Sequence, residues 1–184
     1  MKKVHIALLV LIFVFIISGS VFAAGREPLG IGHFAVKLDY LKFSDSSLES
    51  SDVDTGIYAG VEAFTEMMPD LYFGGEVGYA SSSGSGIDIS YIPVEINLKY
   101  AVQPGEGLVA AVGGGFSYNY ATISAGTSDE SDWLYGGQFF AEIDLKRDQY
   151  FFGAEMKLQL TEGYKDTSTN FNNWRIGARA GLLF

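Results

Sequence analysis

The 184-residue sequence predicts an all-β chain: an eight-stranded antiparallel up-and-down transmembrane β-barrel preceded by a signal peptide. Three observations predict it. The chain opens with an export signal, eight successive segments alternate apolar and polar residues, and the connections between them alternate strictly between short and long.

The export signal occupies residues 1–23. Lys2 and Lys3 precede an unbroken apolar run from Ile6 to Ile17, Ser18-Gly19-Ser20 ends it, and Val21-Phe22-Ala23 offers a cleavage site. The run is too short for a spanning helix, which needs about 20 apolar residues. Cleavage after Ala23 leaves residues 24–184 as the barrel domain. The sequence has no cysteine, which excludes a lipid-anchored lipoprotein, disulfides and a thiolate nucleophile. No stretch after Ala23 is apolar enough for a helix to cross a bilayer, so any crossing must be made by strands. Loss of Lys2 and Lys3 with the signal peptide takes the formal charge from −10 to −12. Such acidity opposes nucleic acid as a partner, because phosphate binding needs a basic surface.

The eight segments lie at about 31–43, 55–66, 71–81, 89–101, 107–121, 133–146, 150–162 and 174–184. The last is the clearest. Trp174, Ile176, Ala178, Ala180, Leu182 and Phe184 share one face, while Arg175, Gly177, Arg179 and Gly181 share the other. Period-two alternation of this kind places a strand between two unlike environments, here lipid and a polar interior. In the first segment Phe34, Val36, Leu38 and Tyr40 oppose Lys37 and Asp39. The same division sets Glu62, Glu76, Glu95, Lys99, Glu142, Asp144, Glu155 and Lys157 on the inward faces of later segments, with Glu66 and Lys146. Pro93 lacks a ladder donor, so the sequence predicts a bulge there or the limit of regular pairing.

The connections 67–70, 103–106 and 147–149 are short and turn-like, whereas 44–54, 82–88, 122–132 and 163–173 are expected to be longer, polar loops. Short periplasmic turns alternating with longer external loops are the pattern of an outer-membrane meander. With odd strands running outward, Phe34, Phe73, Tyr100, Phe152 and Phe184 fall at the periplasmic end of the apolar face. Tyr40, Tyr79, Tyr118, Tyr120, Trp133, Tyr135 and Trp174 fall at the external end, with aliphatic residues expected between. Two aromatic girdles match the two lipid–water boundaries of a bilayer.

The segment Trp174-Arg-Ile-Gly-Ala-Arg-Ala-Gly-Leu-Leu-Phe184 resembles the C-terminal strand of outer-membrane β-barrels, and Tyr91-Ile-Pro-Val-Glu-Ile-Asn-Leu-Lys-Tyr100 resembles the fourth strand of small members of that group. The likeness is to OmpX-like barrels and the OmpA transmembrane domain. As architecture the resemblance covers the mature chain; as a motif it covers only the last strand. It implies a bacterial outer-membrane location. It also implies that Trp174, Ile176, Leu182 and Phe184 serve as the signal read by the barrel-assembly machinery.

An eight-stranded barrel is just wide enough to be filled by side chains. The inward set Lys37, Asp39, Glu62, Glu76, Glu95, Lys99, Glu142, Glu155, Lys157, Arg175 and Arg179 therefore predicts a salt-bridged lumen, favoured over a narrow porin-like channel. His33, the one histidine of the mature chain, is expected near the periplasmic rim with no assignable partner, and no catalytic residues are assigned. The external loops carry the surplus acid. Asp129, Glu130 and Asp132 form a weak candidate for Ca²⁺ or Mg²⁺, although their spacing matches no defined calcium loop. A lipid-modifying enzyme and a soluble lipocalin-like barrel are the less favoured readings; glycines and charges on an outer surface would have little purpose in the latter. The expected function is structural, adhesive or surface-interacting, without cofactor. The expected partners are outer-membrane lipid, lipopolysaccharide and the assembly machinery, with no nucleic acid, and the barrel is expected to be a monomer.

Overall fold

The computed structural model describes residues 28–166 and 169–184, so the signal peptide assigned to residues 1–23 lies outside the described residues. Eight strands close into an antiparallel barrel in sequence order. They are β1 (Gly32–Phe43), β2 (Thr55–Met68), β3 (Leu71–Gly84), β4 (Ile87–Gly105), β5 (Leu108–Ala125), β6 (Ser128–Arg147), β7 (Tyr150–Thr161) and β8 (Asn173–Leu183). Closure comes from β1 against β8, in register from His33↔Leu183 to Phe43↔Asn173. Beyond β8, Gly32 and Phe184 exchange backbone hydrogen bonds of 3.0 Å each way. Because a barrel has no other way to pair its outer strands, this seam satisfies their backbone groups.

Three connections at one end are two-residue turns centred on Pro69-Asp70, Glu106-Gly107 and Asp148-Gln149, with positive φ at Asp70, Gly107 and Asp148. We call this the turn end; β1 begins there and β8 finishes there. At the opposite, loop end, residues 44–54 contain the short helix α1 (Ser46–Ser50), and residues 162–172 contain a 3-10 turn at Tyr164–Asp166. These two connections are loops, as expected.

The other two expected loops are not loops. β3 and β4 continue pairing to Gly84↔Ile87 around Ser85-Gly86, and β5 and β6 continue to Ala125↔Ser128 around Gly126-Thr127. Ser85 and Gly86 both have positive φ, as a tight hairpin turn matched to strand twist requires. The Ser, Thr and Asp content that suggested loops at 82–88 and 122–132 marks a strand pair wet on one or both faces. Hydrophilicity alone does not separate the two cases. As a result β4, β5 and β6 run 19, 18 and 20 residues, against 12 for β1 and β7 and 11 for β8. A crossing needs about 9–11 residues, so the long strands rise well past it on one side of the barrel.

Pro93 is neither a bulge nor a strand end. It pairs with Asn119 of β5, and β4 continues for six residues toward Ile87. The ladder with β3 is interrupted only between Val77↔Val94 and Ala80↔Tyr91, and the register is the same on both sides of the gap. The missing N–H is thus absorbed locally. The register shifts of β4 and β2 lie at the turn end, between Val102 and Gly105 and between Glu66 and Met68.

The outer wall carries the predicted apolar face. Val36, Leu38, Val61, Val77, Val94, Ile96, Ile143, Leu158 and Ile176 are exposed on it. Phe34, Phe73, Phe152 and Phe184 lie toward the turn end, while Tyr40, Tyr79, Tyr118, Trp133 and Tyr135 lie toward the loop end. Such a wall is stable only against lipid. Two aromatics depart from the aliphatic middle band. Phe116, 81% exposed, stands opposite Gly137, and Phe139 stands opposite Gly114. Each ring shields a backbone that a glycine leaves bare, a pairing that stabilises glycines in sheets.

A layered lumen and an acidic rim

Period-two alternation turns the polar or small-residue face of every strand into the lumen, and the lumen sorts its contents into four layers. The first layer, at the turn end, is apolar. Phe64, Tyr72, Ala101, Val109, Ala111 and Phe140 close over Leu29, which is fully buried and precedes β1. Leu29 donates its backbone N–H to the Tyr72 hydroxyl at 3.1 Å, and that hydroxyl donates to the Gly30 carbonyl at 3.1 Å. Lys146 Nζ donates to the Pro28 carbonyl at 3.1 Å. Gly30, at φ +65°, turns the chain from this stopper into the barrel wall, a conformation that favours glycine. No periodic pattern covers residues 28–30, so the stopper was not read from the sequence.

Above the stopper lies a lattice of charges. Glu62 takes Lys37 at 3.3 Å, Lys99 at 3.2 Å, His33 Nε2 at 3.3 Å and the Arg179 guanidinium. Glu76 takes Lys37 at 2.7 Å, Lys157 at 2.6 Å and Arg175 at 3.4 Å, and accepts from the Tyr58 hydroxyl at 2.6 Å. Glu95 takes Lys157 and Arg175 at 2.7 Å each. Glu142 pairs with Lys99 at 2.8 Å and with Arg179, while Glu155 pairs with Lys37. All of these side chains are buried. Four cations also sit over rings: Lys99 on Phe64 at 4.0 Å, Arg175 on Tyr58 at 3.9 Å, Arg179 on Phe151 at 5.0 Å and Lys157 on Phe140 at 5.4 Å. Lys37 and Lys99 each bridge acids from different strands, which is how a dry interior holds several like charges close together.

The structure therefore brings together ten of the eleven lumen residues named from the sequence. The eleventh, Asp39, is buried beside them but forms no ion pair among the described residues. Asp144 joins at the edge, 3.6 Å from Arg179 Nε. Glu66 and Lys146 stay half-exposed at the turn end. His33, expected at the rim without a partner, is instead fully buried, stacked on Phe64 at 5.2 Å and in contact with Glu62 and Lys99. Only closure of the barrel could reveal this, since those partners come from β2 and β4. Glu62, Glu142 and Glu155 bring one oxygen each within 4.8 Å of one another, a spacing that would suit a cation. Lys37, Lys99 and Arg179 already supply positive charge there.

The third layer is made of amides and hydroxyls. The Tyr91 hydroxyl donates to Gln159 Oε1 at 3.1 Å, Gln159 Nε2 donates to Ser117 and Asn119, and Asn173 Nδ2 donates to Gln159 Oε1. Gln138 Nε2 donates to Asn97 Oδ1 at 2.7 Å. These residues alternate inward in the sequence, but nothing in their spacing foretold a separate layer. The fourth layer is the apolar cap at the loop end. Leu41, Phe43, Tyr58, Tyr91 and Leu134 from the strands meet Leu48 of α1, Val53, Tyr164 and Phe171. Phe171 stacks on Tyr91 at 5.7 Å and meets Phe43 edge-on at 5.4 Å. Both loops thus fold over the mouth. Asp45 ties them together: it caps α1 through Ser47 N–H at 2.9 Å and accepts from Asn170 N–H at 3.0 Å. Partial burial works against its charge, but these hydrogen bonds prevail and hold the Asp45 carboxyl below its ordinary pKa.

Asp129, Glu130 and Asp132 lie on the extended part of β6. Alternation puts Asp129 on the opposite sheet face from Glu130 and Asp132. Asp132 accepts from the N–H groups of Trp133 at 2.9 Å and Lys165 at 2.8 Å, and Glu130 pairs with Lys165 at 3.3 Å. The three carboxylates are thus not arranged around a common point. Trp174 packs against Tyr40 at 5.5 Å, and Ile176, Leu182 and Phe184 are exposed on the outer wall beside the seam.

No family model and no curated protein sequence matches the chain. Solved structures do. Neisserial surface protein A superposes with a TM-score of 0.71 at 15% identity, covering 83% of this chain and 97% of that one. The N-terminal β-barrel domain of Pseudomonas aeruginosa OprF gives 0.59 at 13%, covering 84% and 98%. The attachment invasion locus protein Ail of Yersinia pestis gives 0.56 at 12%, covering 83% and 97%. At these identities the likeness is one of fold. The fold is that of the small eight-stranded outer-membrane barrels, and the lipid-facing wall described above fits the same location.

Proposed function

Starting from a bacterial outer-membrane barrel of eight strands, we propose that this protein is a rigid, non-conducting and non-catalytic anchor that presents an acidic surface outside the cell. The observation that carries this reading is the filled lumen. A lattice of buried ion pairs occupies its middle, and apolar layers close both ends. Removing one partner of a buried pair costs about 3–5 kcal/mol, so opening a path through such a lattice is strongly opposed. His33, the one histidine of the mature chain, is locked in the lumen away from any substrate.

In this reading residues 1–23 are cleaved, the turn end faces the periplasm and the loop end faces outward. Trp174, Ile176, Leu182 and Phe184, on the β8 side of the seam and just beyond it, carry the assembly signal. The barrel acts as a monomer in contact with lipid and lipopolysaccharide and uses no cofactor. Ail has been solved with the heparin analogue sucrose octasulfate. Here the predicted external segments and the residues beside them hold ten acids, from Asp45 to Asp166 with Glu162 among them, against Lys42 and Lys165, so a polyanion is a poor match for this surface. Planar-bilayer recording tests the proposal. The purified barrel is expected to leave the membrane silent, and reproducible conductance steps would overturn the plugged lumen.

A further inference from the structure

Beyond the loop-end girdle, β3 to β6 continue as a raised four-stranded sheet whose two faces differ. The inner face is covered, with Ile89 buried in the apolar cap and Ile87 and Ile123 packed against it. The outer face is open, and strand register sorts it into rows. The lowest row is Tyr79, Ile92, Tyr120 and Trp133, with Tyr79 set opposite Ile92 by the register that holds on both sides of Pro93. Ser81, Ser90, Thr122 and Ser131 form the row above it, and Ser83, Asp88, Ser124 and Asp129 the highest. Ser81, Ser83, Asp88, Asp129 and Ser131 are exposed, while Ser90, Thr122 and Ser124 are half-exposed. Successive rows lie about 7 Å apart and four strands span about 14 Å, so this is a broad patch rising from the lipid boundary.

Each row has its own chemistry. Trp133 stacks on Tyr118 at 4.5 Å and meets Tyr120 at 5.0 Å, giving a ring surface on which the C–H face of a pyranose can lie. The hydroxyls above are joined in pairs, Tyr79 with Ser90 at 3.1 Å and Thr122 with Ser131 at 3.0 Å. A hydroxyl offers one donor and two acceptors, so each pair keeps capacity for further hydrogen bonds. Asp88 and Asp129 add carboxylate acceptors for donating hydroxyls. None of these positions holds lysine or arginine, so phosphate or sulfate finds no counter-charge here and meets two acids. Acyl chains find no aliphatic surface above Ile92. Uncharged sugar rings match all three rows.

We propose that the outer face of the raised sheet docks the uncharged sugars of a glycolipid seated against the barrel in the outer leaflet. The proposal rests on the reading above, in which the loop end faces outward and the barrel contacts lipopolysaccharide, and it names the face and the sugar chemistry of such a contact. The aromatic row continues the lipid-facing wall, so a lipid anchored below it presents its sugars beside the hydroxyl row. Tethering of this kind supplies a high effective concentration, which lets individually weak hydrogen bonds select one lipid over another.

The test uses the full mature chain in phosphatidylcholine nanodiscs that also contain digalactosyl diacylglycerol and phosphatidylglycerol in equal amounts. Lipids retained by the protein are counted by native mass spectrometry. The galactolipid is expected to be retained about fivefold over phosphatidylglycerol, the worth of one net hydrogen bond. Thr122→Ala combined with Ser131→Ala should abolish that preference. Ser81→Lys combined with Ser131→Lys should turn it toward phosphatidylglycerol, with folding of both variants checked by heat-modifiable gel migration. Cross-saturation from the galactose protons should reach the Ser90, Thr122 and Ser131 amides. Equal retention of the two lipids, a preference untouched by either double variant, or cross-saturation confined to other residues would overturn the proposal. So would displacement of the galactolipid by equimolar free galactobiose, which identifies a soluble glycan as the occupant. Labelling of Thr127→Cys on intact cells with a membrane-impermeant maleimide separates the two readings. A labelled hairpin tip with no lipid preference removes the docking face alone, whereas an unlabelled tip removes the outward orientation on which it rests.

Discussion

The lumen, lined by all eight strands, and the raised sheet, made by β3 to β6 alone, are held together by opposite means. Inside the barrel, Glu62, Glu76, Lys37, Lys99 and Arg179 are dry, and each is answered by charges from other strands. Above it, the β5–β6 ladder is flanked by wet pairs such as Thr122–Ser131, joined by a 3.0 Å hydroxyl contact, and Ser124–Asp129. Losing one partner in the first region strands a buried charge, while losing one in the second exposes a group that water can satisfy. Stability is thus concentrated in the lumen, and the raised sheet is left free to vary.

The sharpest way to break this contrast is Arg179→Met. It leaves Glu62, Glu142 and Asp144 with one cation fewer, and a loss of about 3–5 kcal/mol is expected, seen as a large drop in the temperature at which the gel-shifted form converts. An unchanged transition would mean that water enters the lumen freely. A smaller loss is expected from Leu29→Ala. It empties the apolar stopper at the cost of a buried large-to-small change, roughly 2–3 kcal/mol, because the end of the chain can partly collapse. Bilayers containing that variant should remain silent, since the charge lattice lies behind the stopper; conductance in Leu29→Ala alone would make the stopper the sole barrier. Smallest of all should be Thr122→Ala combined with Ser131→Ala in the raised sheet, within about 1 kcal/mol by the same gel assay. A loss as large as that of Arg179→Met would erase the distinction between the two regions.

Much of the wall was legible from the residues. Lys37 between Val36 and Leu38, or Arg179 between Ala178 and Ala180, can satisfy a strand only if one face meets lipid and the other does not. The same alternation correctly set Tyr58 and Tyr72 inward and Phe34 and Trp133 outward. It failed where apolar residues are too sparse to mark a face. Residues 122–125 and 128–132 read as loop because Ile123, packed on the apolar cap, is their one large apolar residue, and their strand identity rests on pairing with each other across Gly126-Thr127. It was silent where there is no periodicity at all, as at Leu29, Leu48 and Phe171, whose burial depends on loops and an N-terminal segment folding over the mouths. Pro93 misled locally, because one interrupted rung costs little in a strand that is fully paired on its other side.

By itself, the sequence determined the number of strands, their inner and outer faces and the charged content of the lumen, because side-chain direction in a strand is a local matter of period two. Tertiary structure alone decided which charges meet. Glu62 of β2 collects Lys37 from β1, Lys99 from β4 and Arg179 from β8, an assembly that exists only once the ring is closed. It also decided that His33 is buried and that the first loop covers the β3 edge, where Ser82 Oγ donates to the Val53 and Thr55 carbonyls. Each depends on how far neighbouring strands extend relative to one another, and no single strand carries that information.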